Sequence, residues 1–233
     1  MSETGAKTDD LRSRLAGVRE RIGQAAARAN RDSGEIKLIP VSKTHPVSAL
    51  RAAIEAGIDC FGENKVQEAE GKIVELGRDN LQWHLIGHLQ ANKARKAVKL
   101  FDVIHSLDSL ELAERLERIC EEEAKTGLEV LVQVDLAGEE TKSGILEKDL
   151  PPLVEFLRQC KILRFTGLMI LPPFFDNAED ARPFFRRLCN MRDELCPGGE
   201  LSMGMTHDLE IAIEEGATMV RVGTAIFGER NIK

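Results

Sequence analysis

The sequence predicts an α/β protein built as a single (β/α)8 barrel, the TIM barrel, with an additional N-terminal helix. Three observations favour this fold. Eight short apolar segments have the character of buried strands, a helical apolar period lies between consecutive segments, and the chain has 233 residues, slightly under the roughly 250 of a typical barrel. Strands and helices that alternate in this way form parallel sheets with crossover helices. An open, doubly wound sheet is the main alternative.

Each element follows from a local pattern. Apolar residues at helical spacing predict an opening helix over about residues 10–30. The segment 36–41 is short and apolar, which is typical of a strand buried in a parallel sheet. Seven further segments have this character, at residues 58–61, 82–86, 102–106, 129–136, 164–170, 201–205 and 218–222. Helical spacing recurs between them, at residues 47–54, 66–76, 91–99, 112–119, 153–157, 184–195 and 209–213.

The composition excludes several classes of protein. The chain has 32 Lys and Arg against 39 Asp and Glu, a net charge of −7, which repels phosphate backbones and anionic lipids, so we expect no nucleic-acid partner. No apolar run approaches the roughly 20 residues that cross a bilayer, so we expect no membrane association and a cytoplasmic protein. Five cysteines without a CxxC pair fit neither a disulfide framework nor a zinc ribbon, so we expect reduced thiols.

The domain organisation is predicted to be simple. No linker rich in Pro, Gly or Ser and no low-complexity tract divides the chain. The polar first residues indicate a disordered tail over residues 1–9. A single barrel domain is predicted over residues 10–233.

A lysine follows the first predicted strand. Lys43 lies in the segment PVSKTHP, and alternation along the strand places it on the same side as Ile39 and Val41. Working residues of such barrels cluster at the carboxyl ends of the strands, which makes Lys43 a candidate nucleophile at an apolar mouth. Desolvation lowers the pKa of a lysine and leaves more neutral amine to form a Schiff base with a carbonyl group. The alternative is a surface lysine paired with an acid.

Small-residue turns follow the last two predicted strands. Ser202 and Gly204 lie in the first turn, with Thr206 as a helix cap, and Gly223 and Thr224 lie at the end of the last strand. Backbone amides at a glycine turn and a helix N-terminus bind anions. Barrels often bind phosphate in the loops after their seventh and eighth strands. The alternative is that these are ordinary turn residues.

The first and last strands of a closed barrel are neighbours, so Lys43 is expected beside this phosphate site. An amine next to a phosphate site suits pyridoxal 5′-phosphate (PLP), which carries both an aldehyde and a phosphate. Arg221 lies on the last strand, just before Gly223, where its guanidinium can reach the pyridine nitrogen. A fixed cation there keeps that nitrogen unprotonated and weakens the ring as an electron sink. An ordinary ion pair is the alternative for Arg221.

Seven segments together form a specific combination. They are PVSKTHP, FGENKVQE, WHLIGHLQANK, TKSGI, GLMILPP, LSMGMTHDLEIAI and VRVGTAIFGER. In this order they closely resemble the pyridoxal phosphate homeostasis protein family, whose fold is similar to the N-terminal barrel of alanine racemase. The resemblance covers the chain from about Leu11 to the C-terminus.

This resemblance implies roles for the matching residues. It places PLP on Lys43 as a covalent aldimine. Ser202, Gly223 and Thr224 match the phosphate-binding positions of the family, and Arg221 matches the arginine that faces the pyridine nitrogen.

Four further residues are predicted cofactor contacts. Asn64 ends the second predicted strand, where its amide can contact the cofactor or orient the reactive lysine. Gly204 lies in the turn after the seventh predicted strand. Met169 and His84 fall at strand ends near the mouth, although core packing explains the methionine equally well.

The resemblance implies a protein that holds PLP, limits free aldehyde and delivers the cofactor to PLP-dependent apoenzymes without robust turnover. We expect it to be a monomer. An amino-acid racemase is one alternative, because it shares the barrel. Racemisation needs a second proton donor, in alanine racemases a tyrosine from a second domain. We expect no such domain here and the sequence contains no tyrosine, so a racemase would need a Cys or His in its place. A class I aldolase, in which Lys43 attacks the substrate itself, is the other alternative.

Two further motifs contain candidate reactive or metal-binding side chains. Lys142, in the segment ETKSGI, is a candidate transient acceptor of the aldehyde during cofactor transfer, with an exposed lysine as the alternative. His84 and His88 are four residues apart but lack the glutamate of an HExxH motif. We therefore expect no metal site.

Overall fold

In the part of the chain that the structure describes, residues 3–138 and 143–229, eight parallel strands surround a common interior and helices cover their outer faces. The structure is a computed structural model. Its barrel strands are β1 (Lys37–Pro40), β2 (Cys60–Glu63), β3 (Gln82–Leu85), β4 (Val103–Leu107), β5 (Leu128–Asp135), β7 (Leu163–Ile170), β8 (Glu200–Ser202) and β9 (Met219–Val222), with a short β6 (Ile145–Leu146) beside β5. The helices are α1 (Glu3–Arg28), α2 (Val47–Glu55), α3 (Val66–Leu76), α4 (Ala94–Leu100), α5 (Leu110–Glu122), α6 (Leu150–Gln159), α7 (Arg182–Leu195), α8 (Leu209–Glu214) and α9 (Thr224–Phe227).

The sheet closes on itself. Its strands pair in the order β1-β9-β8-β7-β5-β4-β3-β2. At the two ends of this order, Val41 beyond β1 forms a parallel bridge with Gly62 of β2, and the Ser42 amide donates to the Gly62 carbonyl oxygen over 3.0 Å. The predicted (β/α)8 barrel with its additional N-terminal helix is thus confirmed, and the open, doubly wound sheet is excluded.

The barrel interior has an apolar part and a polar part. The apolar part is one small cluster of buried side chains, namely Ile39, Val103, Leu131, Met169 and Met219. The polar part includes His105 of β4 and Ser202 of β8, which are hydrogen-bonded over 2.8 Å. Because β4 and β8 are not neighbours in the sheet, this bond crosses the interior.

Helix α1 packs against α8 and α9 on the outside of the barrel. Its apolar stripe is buried, with Leu15 only 1% exposed. Arg21 donates to both carboxylate oxygens of Glu210 in α8, over 2.6 and 2.9 Å. The helix begins at Glu3, earlier than the predicted start near residue 10. The predicted division into a tail of residues 1–9 and a domain of residues 10–233 stays a prediction.

Element boundaries differ from the predicted ones at two places that bear on the interior. β8 ends at Ser202 rather than at residue 205, because Gly204 has a φ of 88°, which a strand cannot accommodate. A Cβ atom at position 204 would also lie 2.6 Å from the Cβ of Ala212 in α8. The strand β6 was not predicted, because two residues carry no periodicity.

The predicted chemical state of the cysteines agrees with the structure, in which all five thiols are free. Cys60 and Cys120 are buried and the other three are half-buried. Among the described residues, no helix combines the length and the apolar character needed to cross a membrane.

Candidate functional site

The mouth of the barrel is formed by the carboxyl ends of the strands, where barrels of this type carry their functional residues. β1 and β9 are paired neighbours, with Pro40 opposite Val222. Lys43 follows β1 and is half-buried, and Gly223 follows β9 directly. The structure therefore brings the predicted nucleophile and the predicted phosphate site to adjoining strand ends.

The turn that carries Lys43 is tightly bent and packs against α9. Thr44 has a φ of 67°, and the His45 amide donates to the Ser42 carbonyl oxygen over 3.1 Å. The ring of His45 stacks on Phe227 of α9, with the ring centroids 5.0 Å apart. The turn after β1 and the segment after β9 thus form one packed unit.

A cluster of charged side chains, mostly buried, stabilises this turn. The ammonium group of Lys72, in α3, donates to the Ser42 carbonyl oxygen over 2.7 Å. It also donates to Glu63 Oε1 over 2.6 Å and to Glu68 Oε1 over 2.7 Å. We call Lys72, Glu63 and Glu68 the Lys72 cluster. Lys72 itself is only 5% exposed, so these bonds satisfy an ammonium group that has little access to water.

The two carboxylates of the Lys72 cluster hold residues on both sides of Lys43. Glu63 accepts a hydrogen bond from the Ser42 hydroxyl over 2.6 Å, and Glu68 accepts one from the Thr44 amide. Burial raises the pKa of Glu63, against the lowering effect of the Lys72 charge. Burial also acts to raise the pKa of Glu68, but the hydrogen bonds from Lys72 and Thr44 outweigh it and the pKa is lowered.

Asn64 lies at the end of β2 and carries an unsatisfied amide. Its Oδ1 atom is buried and has no hydrogen-bond partner among the described residues. The backbone of Asn64 packs closely on Gly87, where a Cβ atom would lie 2.4 Å from the Asn64 carbonyl oxygen. A buried acceptor without a partner is costly, and a ligand with a hydrogen-bond donor would satisfy it.

A second threonine hydroxyl, that of Thr206, lies beside the predicted anion site. The sequence pattern predicts only a helix-capping role for Thr206. The side-chain oxygen of Thr224, the first residue of α9, lies 3.2 Å from that of Thr206. Gly223 directly precedes Thr224 at the strand end, where a Cβ atom would lie 3.4 Å from the Val41 carbonyl oxygen. Arg21 of α1 donates to the Thr206 carbonyl oxygen over 2.8 Å. We call Thr206, Gly223 and Thr224 the hydroxyl cradle.

Ser202 and Gly204 lie deeper than the hydroxyl cradle, and both are buried. The Ser202 hydroxyl is bonded to His105 Nδ1 over 2.8 Å and to Arg221 Nη1 over 2.6 Å. The carbonyl oxygen of Gly204 accepts from the Arg221 amide over 2.9 Å. Phosphate contacts by Ser202 and Gly204 stay predictions, and in the structure both residues hold Arg221.

Arg221 is a buried cation beneath the mouth. Its Nη1 donates to Ser202, and its Nη2 donates to the carbonyl oxygen of Ile170 over 2.8 Å. Burial lowers the pKa of Arg221 to about 10, with the charge of Asp208 acting in the opposite direction. The guanidinium therefore keeps its charge at neutral pH. It has five N–H donors, and these two bonds use two of them.

Two other predicted contacts lie inside the barrel rather than at its mouth. Met169 is fully buried in the apolar interior cluster, which agrees with the core-packing alternative. His84 is also fully buried, and its ring nitrogens are bonded to His105 over 2.9 Å and to Gln82 over 3.2 Å. Cofactor contacts by Met169 and His84 stay predictions. Lys142 lies outside the described residues, and its part in cofactor transfer likewise stays a prediction.

The chemistry of these residues fits PLP. Lys43, a half-buried lysine, adjoins a glycine turn with two neighbouring hydroxyls, and the buried amide oxygen of Asn64 has no partner within residues 3–138 and 143–229. In the described ranges, no group of three or more His, Cys, Asp or Glu residues is arranged to hold a metal ion.

Sequence comparison places the chain among known proteins. The model of the family described as "Alanine racemase, N-terminal domain" matches residues 14–231. The chain belongs to this family. Membership of the alanine racemase N-terminal domain family accounts for the parallel barrel and the helix before it.

Curated members of this family are similar to the chain over nearly its whole length. A pyridoxal phosphate homeostasis protein of Pseudomonas aeruginosa is 44% identical over 221 residues, covering 93% of this chain and 94% of the relative. One of Aquifex aeolicus is 42% identical over 224 residues, covering 93% and 97%. The predicted resemblance to the pyridoxal phosphate homeostasis proteins is thus confirmed.

Solved structures of the alanine racemase N-terminal domain family show the same barrel. PipY of Synechococcus elongatus, solved with PLP bound, superposes with a TM-score of 0.82 at 40% identity, covering 94% of this chain and all of PipY. Alanine racemase of Clostridium difficile superposes with a TM-score of 0.71 at 16% identity, and the match covers 57% of that chain. At this identity the racemase shows a shared fold only.

Proposed function

We propose that this protein binds PLP covalently and serves PLP homeostasis, holding the cofactor and delivering it to apoenzymes without robust turnover. The observation that carries the proposal is the position of Lys43, at the strand end that adjoins the hydroxyl cradle. Relatives of about 40% identity that are named pyridoxal phosphate homeostasis proteins support it, as does the PLP-bound structure of PipY. A cytoplasmic location and a monomeric state stay predictions.

Covalent binding needs one reaction at Lys43, an addition followed by loss of water. The lone pair of the neutral amine would attack the aldehyde carbon and one amine proton would pass to the aldehyde oxygen; water would then leave with the second amine proton as the C=N bond forms. Hydrolysis reverses this step and releases the cofactor intact. A holder that delivers PLP requires this reversibility, whereas a storage site sealed from water would prevent release.

The residues around the proposed ring position favour holding over catalysis. Arg221 stays a cation and, facing the pyridine nitrogen, would keep it unprotonated, so the ring would be a weak electron sink. Asn64 Oδ1, a buried acceptor without a partner among the described residues, is proposed to lie near the same ring. PLP supplies an aldehyde for the imine and a phosphate for the hydroxyl cradle, and no step of the proposed function needs the ring to stabilise a carbanion.

The decisive experiment follows the absorption spectrum of the purified full chain during PLP titration, before and after borohydride reduction, with a peptide map of the product. We expect a reversible visible band that reduction removes, and a stable PLP adduct on the peptide that contains Lys43. A chain that takes up no PLP and gives no modified peptide would refute the proposal. An adduct with the mass of a sugar phosphate and no visible band would favour the aldolase. Loss of optical activity from L-alanine or L-serine would favour the racemase.

The hydroxyl cradle makes a separate prediction. Thr206→Val and Thr224→Val should each weaken PLP binding by about 5- to 150-fold, since a lost hydrogen bond to a charged group costs about 1–3 kcal/mol. Binding of pyridoxal, which lacks the phosphate, should change little. Thr126→Val, at an exposed position before β5, is the matched control. Equal losses for PLP and pyridoxal in spectral titrations would show that these hydroxyls do not contact the phosphate.

A further inference from the structure

A continuous series of hydrogen-bonded side chains crosses the barrel beneath the candidate site. Lys37 Nζ donates to Gln82 Oε1, which also lies 3.2 Å from His84 Nε2. His84 Nδ1 lies 2.9 Å from His105 Nε2. His105 Nδ1 lies 2.8 Å from the Ser202 hydroxyl, which accepts from Arg221 over 2.6 Å. We call this series, Lys37, Gln82, His84, His105, Ser202 and Arg221, the interior chain.

The chemistry of its two ends sets the direction of every hydrogen bond in the interior chain. An ammonium and a guanidinium group can only donate, and the side-chain oxygen of Gln82 can only accept. At the lysine end, the bond between Gln82 Oε1 and His84 therefore requires a proton on His84 Nε2. In a neutral ring the other nitrogen is an acceptor, so His84 Nδ1 accepts from His105 Nε2.

The same reasoning extends to the arginine end. With its proton on Nε2, neutral His105 presents Nδ1 as an acceptor, and the Ser202 hydroxyl donates to it. The oxygen of Ser202 is then left to accept from Arg221. The reversed arrangement is disfavoured at the lysine end, because it would leave His84 Nε2 without a proton, so that two acceptors, Nε2 and Gln82 Oε1, would face each other. At the arginine end it would leave the Ser202 proton without His105 as its acceptor.

The environment keeps both rings neutral, as this pattern requires. His84 and His105 are both 0% exposed. Burial, together with the charge of Lys37, lowers the pKa of His84 to about 3. Burial also lowers the pKa of His105; a proton on His84 would lower it further, and the charges of Arg221 and Lys37 act in the same direction.

We propose that His105, fixed in its Nε2–H tautomer by His84 and Gln82, is a positioning residue that orients the Ser202 hydroxyl and thereby holds the Arg221 guanidinium beneath the cofactor ring. The proposal rests on the proposed function for the identity of that ring. It gives a task to two buried histidines, His84 and His105, and to the half-buried Gln82. Without an acceptor at His105, the Ser202 proton has no partner there, and the hydroxyl that accepts from Arg221 is no longer fixed in orientation.

The first test examines the protein without any ligand. Nitrogen-15 NMR of the full chain, with histidine rings labelled, should show His84 and His105 as neutral Nε2–H tautomers that do not titrate between about pH 5.5 and 8. The exposed His88, paired with Asp108 over 3.1 Å, is the internal reference, and its resonance is assigned with His88→Gln. An Nδ1–H tautomer or a protonated ring at His105 would overturn the proposal, whether or not the protein binds PLP.

The second test separates positioning from general packing. His105→Leu removes the acceptor, whereas His105→Asn keeps an amide oxygen where Nδ1 accepts from Ser202. We expect His105→Leu to weaken PLP binding by about tenfold, the scale of one unsatisfied buried hydroxyl, and to shift the visible band of bound PLP. His105→Asn should stay within about twofold of the wild-type Kd with an unshifted band.

Controls keep the two proposals distinguishable. His88→Gln should match the wild type in both Kd and band position. If His105→Leu matched it too, or if the Asn and Leu variants behaved alike, the positioning role would be wrong while covalent binding at Lys43 stood. If no variant and no wild-type sample took up PLP, the proposed function would fail, and the tautomer measurement would still decide the structure of the interior chain. Should His105→Leu fail to fold, the Asn variant and the NMR data still test the positioning role of His105.

Discussion

Lys43→Ala is expected to abolish covalent PLP binding while leaving the fold intact. Without the amine no imine can form, so the visible band should be absent at every PLP concentration and borohydride should leave no adduct at the mouth. Weaker, non-covalent binding through the hydroxyl cradle should remain. Because Lys43 is a half-buried residue in a turn rather than part of the packed interior, the free energy of unfolding should change by no more than about 0.5 kcal/mol.

The matched control is Lys65→Ala, at an exposed lysine that follows β2 on the same face of the barrel. It should take up PLP with the wild-type spectrum and give the wild-type peptide map. A stoichiometric adduct in the Lys43→Ala variant would identify another lysine as the attachment site. Loss of the adduct in Lys65→Ala would contradict the assignment equally well. Absorbance, mass spectrometry of reduced protein and urea unfolding together decide between these outcomes.

The fold and the placement of Lys43 could be predicted because they depend on repeated patterns. Eight apolar segments separated by helical spacing leave few arrangements other than a closed parallel barrel. In such a barrel the first and last strands must adjoin. Lys43 and Gly223 were therefore expected at neighbouring strand ends, and the pairing of Pro40 with Val222 places them there.

The partners of buried polar residues could not be predicted, because they depend on which side chains meet across the interior. His105 lies inside an apolar strand, and no spacing connects it with Ser202, 97 residues later. For the same reason the sequence does not reveal that the Ser202 hydroxyl bonds to His105 and Arg221. The position of the Thr206 hydroxyl beside that of Thr224 could not be predicted either, because the sequence indicates only a helix cap at Thr206.

The burial of Lys72 is another contact that sequence patterns do not reveal. In the helical period of α3 a lysine among glutamates is typical of an exposed face, yet Lys72 lies beneath the turn after β1. Its charge is compensated by Glu63, which comes from a strand, and by Glu68, one helical turn earlier in α3. Both acidic residues fall within the segment FGENKVQE, so the resemblance located the segment without indicating this role.

Replacing Lys72 by methionine is therefore expected to damage both stability and cofactor binding. It leaves the buried Glu63 carboxylate without its cation, and breaking a buried pair in this way costs about 3–5 kcal/mol. It also releases the Ser42 carbonyl oxygen next to Lys43. Imine formation, followed by stopped-flow absorbance, should slow markedly. Lys96→Met is the matched control, since Lys96 forms an exposed pair with Glu70, and such pairs contribute about 0–1 kcal/mol.

A second substitution separates the two effects of Lys72. In Lys72→Met/Glu63→Gln the uncompensated charge is gone, so much of the lost stability should return. The Ser42 carbonyl oxygen still lacks its donor, so imine formation should remain slow. If the double variant restored stability and imine formation together, the Lys72 cluster would act only through stability and not by positioning the turn.

The cost of Lys72→Met should depend on pH in a defined direction. The pKa of Glu63 is already raised by burial and rises further without Lys72, so the variant loses stability as pH rises through that pKa. Lys72 helps to lower the pKa of Glu68 in the wild type. The stability gained in this way is present above the pKa of Glu68 in the unfolded chain and is lost as pH falls. Both effects make the difference in the free energy of unfolding between wild type and variant largest near neutral pH. Urea unfolding at pH 7.5 and pH 5 measures it, and a difference that stayed constant or grew on acidification would show that Glu63 is not an ionised partner of Lys72.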